Sequence, residues 1–388
     1  MSETADVIVI GAGIHGASLA FHLAERGLRP VVLERATVAS GATGRSSGLV
    51  RMHYDVDTDA RLAWASHAYF RAWADRVGGD VGFVRTGFLQ LVPADEVAAL
   101  RANVAMLARI GIPTELLGAD RVEALVPGIA RDDVIVAAWE PESGYADPTA
   151  AATSLMAAAV AHGARIVQRA PVTAVRLDGD RVAGVDTPRG SFDAPVVVDA
   201  AGAWAGRVAA LVGVDLPLRV WRHDVAYVRR PEEMPAHPAM IDFANAFYVR
   251  PEGTNLTLIG LEDGNELGDE PDRAVDAAAP GFVERAAERV CLRFPELSAA
   301  GLHSAHSGQD GITPDQHPVI GPAGPEGFYL DCGFSGTGFK IAPAVGCGLA
   351  ELICDGASRS VDLHPYRHAR FAQGDPVRGE HPYAPVWR

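Results

Sequence analysis

The stretch from Asp6 to Glu34 constrains this chain more than any other. Residues 6–10 read DVIVI, a short apolar run suited to a buried parallel strand. GAGIHG follows, Gly11 to Gly16, and then ASLAFHLAERG. In that last segment Leu19, Ala20 and Leu23 share one helical face and Gly27 ends the helix. Residues 31–34 (VVLE) make a second strand that ends in Glu34. Each part of this strand–turn–helix–strand unit has a mechanical reason. Gly11 permits a tight turn, Gly13 lets the backbone approach a pyrophosphate, and Gly16 lets helix and strand pack closely. Together with Ile14 and His15 they open a helix whose unpaired N–H groups and partial positive charge suit phosphates. Glu34, about 20 residues on, is placed to accept hydrogen bonds from a ribose, which disfavours a 2′-phosphate and hence NADP. The unit predicts dinucleotide binding without separating FAD from NAD.

Composition narrows the rest. The chain has 388 residues and a formal net charge of −15, against the basic face that nucleic acids require. Its length fits two or three domains. Cys291, Cys332, Cys347 and Cys354 form no CxxC pair and have no histidine cluster beside them. They read as free thiols, with no zinc site or disulfide framework. Only a four-residue apolar run follows Asp6, unlike a signal peptide, and no apolar run reaches the ~18 residues of a membrane span. The expectation is a soluble cytoplasmic protein with no metal.

Further along, ASGATGRSSGLVRMHY (39–54) offers many N–H and hydroxyl donors plus Arg45 and Arg51, a loop suited to an anionic ligand. Residues 60–78, 94–111, 149–163 and 272–293 read as helices. Residues 164–198 read as two or three strands, followed by VVVDAAGAWA (196–205), a buried strand that breaks at Ala201–Gly202. Residues 216–262 read as antiparallel strands, including AFYVRPEG and NLTLIGLE. Residues 303–321 read as a polar loop. From 328 to 356 a strand enters a Gly-rich turn and a long helix, repeating the geometry of the first motif.

Taken in order, GAGIHG with Glu34, SGATGRSSGLVRMHY, VVVDAAGAW, FYVRPEG, ITPDQHPVIGP and GFSGTGFKIAPAVG resemble the D-amino-acid-oxidase-type FAD proteins over nearly the whole chain. That group includes sarcosine oxidase, glycine oxidase and the flavin subunit of proline dehydrogenase. The resemblance implies an α/β fold. It has a discontinuous Rossmann-type FAD-binding domain (1–82, 145–215 and 305–388) and an α+β substrate domain with an antiparallel sheet (83–144 and 216–304). It implies cofactor contacts at Arg35, Thr43, Gly44, Arg45, Ser46, Ser47, Gly48 and Leu49. Further contacts are implied at Val172, Ala201, Gly202, Trp204 and Gly308. The last Gly-rich turn adds Gly333, Phe334, Ser335, Gly336, Thr337, Gly338 and Lys340. Some relatives attach flavin covalently through a histidine or a cysteine. The matching positions here are Arg45 and Gly308, so the resemblance implies noncovalent FAD.

The same resemblance marks Arg51, Tyr248 and Lys340 as the catalytic group. Arg51 offers a planar fork for a carboxylate. Lys340 offers a second cation, and Tyr248 a hydroxyl that orients carboxylate or amine. Arg250 reads instead as a brace for the turn at Pro251–Glu252. His53, His223, His306 and His317 lie in relevant loops, and a lone histidine is more often structural. His15 is expected to point away from the pyrophosphate turn, and Tyr145 and Asp147 to shape the domain crossover.

The expected reaction is oxidation of the C–N bond of a small amino acid or N-alkylated amino acid (sarcosine-, glycine- or proline-like). Hydride passes to flavin N5 and leaves an imine that water hydrolyses. The helix after Gly336 would aim its positive end at the flavin. Two rivals stand beside this reading: an FAD-dependent 2-hydroxy-acid dehydrogenase, and a noncatalytic FAD-binding subunit of a hetero-oligomer. The electron acceptor, whether oxygen, quinone or a partner flavoprotein, stays open.

Overall fold

The computed structural model describes residues 3–272 and 277–383. Within it the first apolar runs become the middle of a sheet. Val7–Ile10 and Pro30–Glu34 are buried along their whole length. They lie in a six-stranded sheet ordered Val319–Pro322, Phe328–Cys332, Val197–Asp199, Val7–Ile10, Pro30–Glu34, Arg165–Gln168. Neighbours are parallel except at Val319–Pro322, which runs antiparallel.

Alternate residues of these strands enter different cores, as the pleat requires. Val7, Val9 and Val32 pack against helical residues such as Leu19, Leu155 and Val345. Ile8, Ile10, Val31 and Leu33 pack against Val185 and Phe192, which belong to a separate four-stranded sheet. The helices Ile14–Glu25 and Gly338–Asp355 lie in direct contact. A Cβ on Gly346 would stand 2.2 Å from the Ser18 hydroxyl, and that hydroxyl donates to Ala342 O at 2.8 Å. This close packing holds the beginnings of both helices near one another.

Leu49–Val50 pairs with Gly144–Tyr145. The Asp147 carboxylate then caps the Pro148–Ala161 helix by accepting from Thr149 N and Ala150 N. Such a cap contributes about 1 kcal/mol, and Pro148 suits the first helical position. Tyr145 and Asp147 thus organise this crossover.

A nine-stranded sheet forms the second layer. Its central strands are Arg219–Arg229, Leu256–Leu261, Phe247–Glu252 and Ala239–Asp242, each antiparallel to the next. One face packs against the helix Phe282–Arg293 through Ala286 and Val290. The other presents Val225, Ile241, Tyr248 and Leu258, which meet Leu49 of the Gly-rich loop. This second face roofs the cavity described below.

Several expectations change. Residues 303–321 are not a loop: Gly301–Ile312 is a long strand paired with Arg219–Arg229. Its sequence is polar because much of the strand is exposed, so alternation is hard to see. The helix expected over 272–293 begins at Phe282, where Gly281 adopts φ +76°; residues 273–276 lie outside the described residues. The helix expected at 60–78 is Asp57–Arg71 with a short turn Trp73–Arg76. Before the VVVDAAGAWA strand, which forms as Val197–Asp199, there are four strands where two or three were expected.

Candidate active site

The carboxyl ends of Val7–Ile10 and Pro30–Glu34, the start of the Ile14–Glu25 helix and the 39–54 loop open on one cavity of about 650 Å³. That volume is typical of a ligand site. Gly11 adopts φ +107°, and a Cβ there would lie 2.5 Å from Ala200 O. A Cβ on Gly16 would lie 2.0 Å from Gly11 O, so glycine is needed at both positions. The Glu34 carboxylate accepts from Ala12 N at 2.9 Å and from Ala36 N at 2.7 Å, closing the loop while lining the cavity. Thr43 Oγ1 accepts from Ile14 N at 3.0 Å. His15 does turn toward the last Gly-rich turn: its ring stacks on Phe334, and Nε2 donates to Gly338 O at 2.9 Å.

Arg35 lies 4.4 Å over the Trp204 ring, and both line the cavity, as does Val172. Most expected residues line the cavity: Gly11, Gly13, Ile14, His15, Glu34, Arg35, Thr43, Arg45, Ser46, Ser47, Leu49, Val172, Ala201, Gly202, Trp204, Gly308, Phe334, Gly336, Gly338 and Lys340. Gly16, Gly44, Gly48, Gly333, Ser335 and Thr337 do not. They shape the backbone behind it: Gly48 and Gly333 adopt φ +69°, and Thr337 Oγ1 donates to Phe334 O at 2.7 Å. Arg45 and Gly308 are neighbours, since a Cβ on Gly308 would stand 3.2 Å from that of Arg45.

The same cavity is lined by Arg51, Tyr248 and Lys340 and by two residues that the sequence alone did not single out for chemistry, His223 and Glu262. Arg51 sits 4.5 Å over the Tyr54 ring and donates to His53 O. Lys340 Nζ stands 5.8 Å from the same ring. Burial pushes the Lys340 pKa well down, with Arg51 adding to the effect and Glu262, Asp59 and Asp310 opposing it. A bound carboxylate would restore its charge.

Tyr248 and His223 share a hydrogen bond of 2.6 Å. Burial raises the Tyr248 pKa and lowers that of His223 to about 4, so both are neutral near pH 7. Burial also pushes the Glu262 carboxyl up to about 8, although Arg51 and Lys340 pull the other way. Glu262 was legible only through strand register. Tyr248 pairs with Gly260, so a residue two further on shares that face.

The other histidines fall elsewhere. His317 pairs with Asp59 at 2.9 Å, and His53 bonds Tyr383. Arg250 braces its turn as expected: its guanidinium donates to Pro251 O, Glu252 and Ser47 O. Asp310 holds the last Gly-rich turn by accepting from Gly336 N at 2.7 Å. Among the described residues no cluster of histidine, cysteine and carboxylate could hold a metal, and no helix is long and apolar enough to cross a membrane.

A βαβ dinucleotide unit opening into a cleft roofed by an antiparallel sheet defines a nucleotide-cofactor oxidoreductase architecture. Comparison with known proteins specifies it. The profile described as FAD dependent oxidoreductase matches residues 6–352. Human mitochondrial sarcosine dehydrogenase is 31% identical over 96% of this chain and 42% of that protein. The chain thus spans about two fifths of that relative. Glycine oxidase from Geobacillus kaustophilus is 29% identical over 95% of this chain and 98% of that protein. The solved structure of L-proline dehydrogenase from P. horikoshii superposes with a TM-score of 0.91 at 27% identity, covering 97% of this chain and all of that one. The chain belongs to the FAD-dependent oxidoreductase family.

Proposed function

We propose that the chain oxidises the C–N bond of a small amino acid or N-alkylated amino acid of sarcosine-, glycine- or proline-like size. One observation carries this reading. Two basic side chains, the half-buried Arg51 and the buried Lys340, stand over one aromatic ring, Tyr54, in the cavity that Glu34 also lines. The similarity to sarcosine dehydrogenase, glycine oxidase and L-proline dehydrogenase supports the substrate class.

The residues fit FAD. Glu34 would bond a ribose, the glycine turn and the helix start would take the pyrophosphate, and Arg35 with Trp204 would flank the adenine end. When bound, the flavin supplies the two-electron acceptor. The chain's own residues do the positioning. Arg51 would grip the substrate carboxylate with its fork and Lys340 would add a point charge. The neutral Tyr248–His223 pair would orient the substrate by hydrogen bonding without competing for its charge. Apolar side chains of the cavity wall, including Ile241 and Phe339, would help keep water from the reacting carbon once substrate is bound.

Anaerobic titration with panels of amino acids and 2-hydroxy acids, read by flavin absorbance, tests this reading. Bleaching by amino acids is the expected result. Bleaching by hydroxy acids alone, or by neither, would overturn it.

A further inference from the structure

We propose that Glu262 recognises the substrate nitrogen, binding it as the ammonium and accepting one proton from it before oxidation. The inference rests on the amino-acid reading above and deepens it.

The placement comes from strand register. Tyr248 pairs with Gly260, and a Cβ on Gly260 would lie 2.2 Å from the Tyr248 ring. The ring therefore lies over Gly260, and Glu262 emerges beside it on the same face. Glu262 is 2% exposed, and its Oε2 has no hydrogen-bond partner. It forms no ion pair among the described residues, although Arg51 and Lys340 act on it through space. An unpartnered buried carboxyl is expensive, and such a group points to an absent ligand.

The ligand's polarity follows from what the cavity already offers. Arg51 and Lys340 suit an anionic carboxylate, whereas Glu262 suits a cation. An amino acid carries both charges a few bonds apart, while a 2-hydroxy acid carries only the first.

The proton balance is simple. A secondary ammonium and the Glu262 carboxylate become a neutral amine and a Glu262 carboxylic acid, with no bond to carbon changed. Two groups compete for the proton. Burial pushes Glu262 up to about 8, which brings it toward the basicity of a free amino acid's amine. His223 is pushed down to about 4 and is the weaker base by about four decades. Glu262 also lines a second cavity of about 300 Å³ together with Asp263, Asn265 and Gln316.

The test uses the FAD-loaded protein, wild type and Glu262→Gln, with two probes. One is the amino acid that best bleaches the wild type. The other is a thioether acid with sulfur in place of the N–H group. The amide variant should lose roughly 10²-fold in reduction efficiency with the amine. It should bind the thioether acid within about twofold of wild type, read by flavin spectral perturbation, a split that follows from the group's distinct role. In the wild type, efficiency with the amine should rise with pH through about 8, whereas thioether affinity should lack that limb. Should Glu262→Gln not hold FAD, this wild-type pH contrast decides alone. Equal losses for both probes, undiminished amine efficiency, or no contrast between the pH profiles overturns the proposal. If no amino acid bleaches even the wild type, the amino-acid reading falls and takes this one with it. If amino acids bleach the variant as well as the wild type, only the Glu262 proposal falls.

Discussion

The Tyr248 hydroxyl and His223 Nε2 are 2.6 Å apart, and both groups are neutral near pH 7. Two neutral partners orient a substrate without adding charge to a site that already holds Arg51 and Lys340. Tyr248→Phe should therefore lower reduction efficiency by about tenfold, the worth of one hydrogen bond, while FAD stays bound. Stopped-flow reduction checks this, and an unaffected rate would show that the phenol only packs.

The carboxylate clamp predicts more. Arg51→Ala or Lys340→Ala should weaken carboxylate binding by about 10- to 150-fold, from roughly 1.5–3 kcal/mol per charge-assisted bond. Lys340→Arg should impair binding too, because its larger planar fork meets Tyr54 and Asp310 where an ammonium fits. Equilibrium titration with a nonreacting acid reads these effects. Unchanged affinity in both alanine variants would refute the clamp.

Buried neutral histidines give the fold an acid-sensitive limb. His237 is buried, bonds Pro238 O and Thr257 Oγ1 at 2.8 Å each, and is pushed down by burial to about 4. A folded pKa below the unfolded value of about 6.5 means that the unfolded chain binds more protons. Stability from this group is full above about pH 6.5 and is lost as pH falls toward 4. The loss should reach roughly 3 kcal/mol, at about 1.4 kcal/mol per unit. Urea unfolding at pH 7 and pH 4.5 should show a smaller drop for His237→Gln than for wild type. An equal drop would remove His237 from the explanation.

The cofactor should leave on acid precipitation as intact FAD. Arg45 and Gly308 occupy neighbouring positions on the cavity wall, and neither side chain is a nucleophile for flavin attachment. Flavin fluorescence remaining in the protein pellet would show a covalent link at another residue.

How much of this was legible beforehand follows from the range of the interactions. The turn from Gly11 to Gly16, its helix and Glu34 are set by contacts within about 30 residues, so pattern reading finds them. Lys340 is equally local, following a Gly-rich turn at a helix start. His223 and Glu262 are different. Their direction depends on strand pairing across Arg219–Arg229, Leu256–Leu261 and Phe247–Glu252, and a slip of one residue would turn each side chain away. The strand Gly301–Ile312 was hidden because HSAHSGQD is polar on both faces. Its partnership with Arg219–Arg229, not its composition, makes it a strand. The late start of the Phe282–Arg293 helix traces to Pro280 and Gly281, a stop signal that apolar periodicity alone passes over.

The strand beside Tyr248 also bears on the electron acceptor. In the resembling sarcosine oxidases a lysine on the strand after the pocket tyrosine provides positive charge as oxygen gains its first electron. The matching position here is Thr257 or Leu258, and neither carries charge. Thr257 is fully buried and bonded to His237 and Arg230, and Leu258 belongs to an apolar cluster with Val225 and Ile241. Neither lines the cavity. Two substitutes for the missing charge are also weak. Arg250 has its fork engaged by Pro251 O, Glu252 and Ser47 O, and His223 is uncharged near pH 7. Lys340 and Arg51 remain, but the first has its charge disfavoured by burial, and both are assigned to the substrate carboxylate. A desolvated cation beside a developing anion is worth several kcal/mol, so its absence should slow the reaction with oxygen by orders of magnitude. Mixing the substrate-reduced protein with oxygenated buffer should give slow return of flavin absorbance, while an artificial dye or quinone restores it quickly. Rapid return with oxygen would overturn this expectation. Loss of that rapid return in Lys340→Met would then identify Lys340 as the cation responsible.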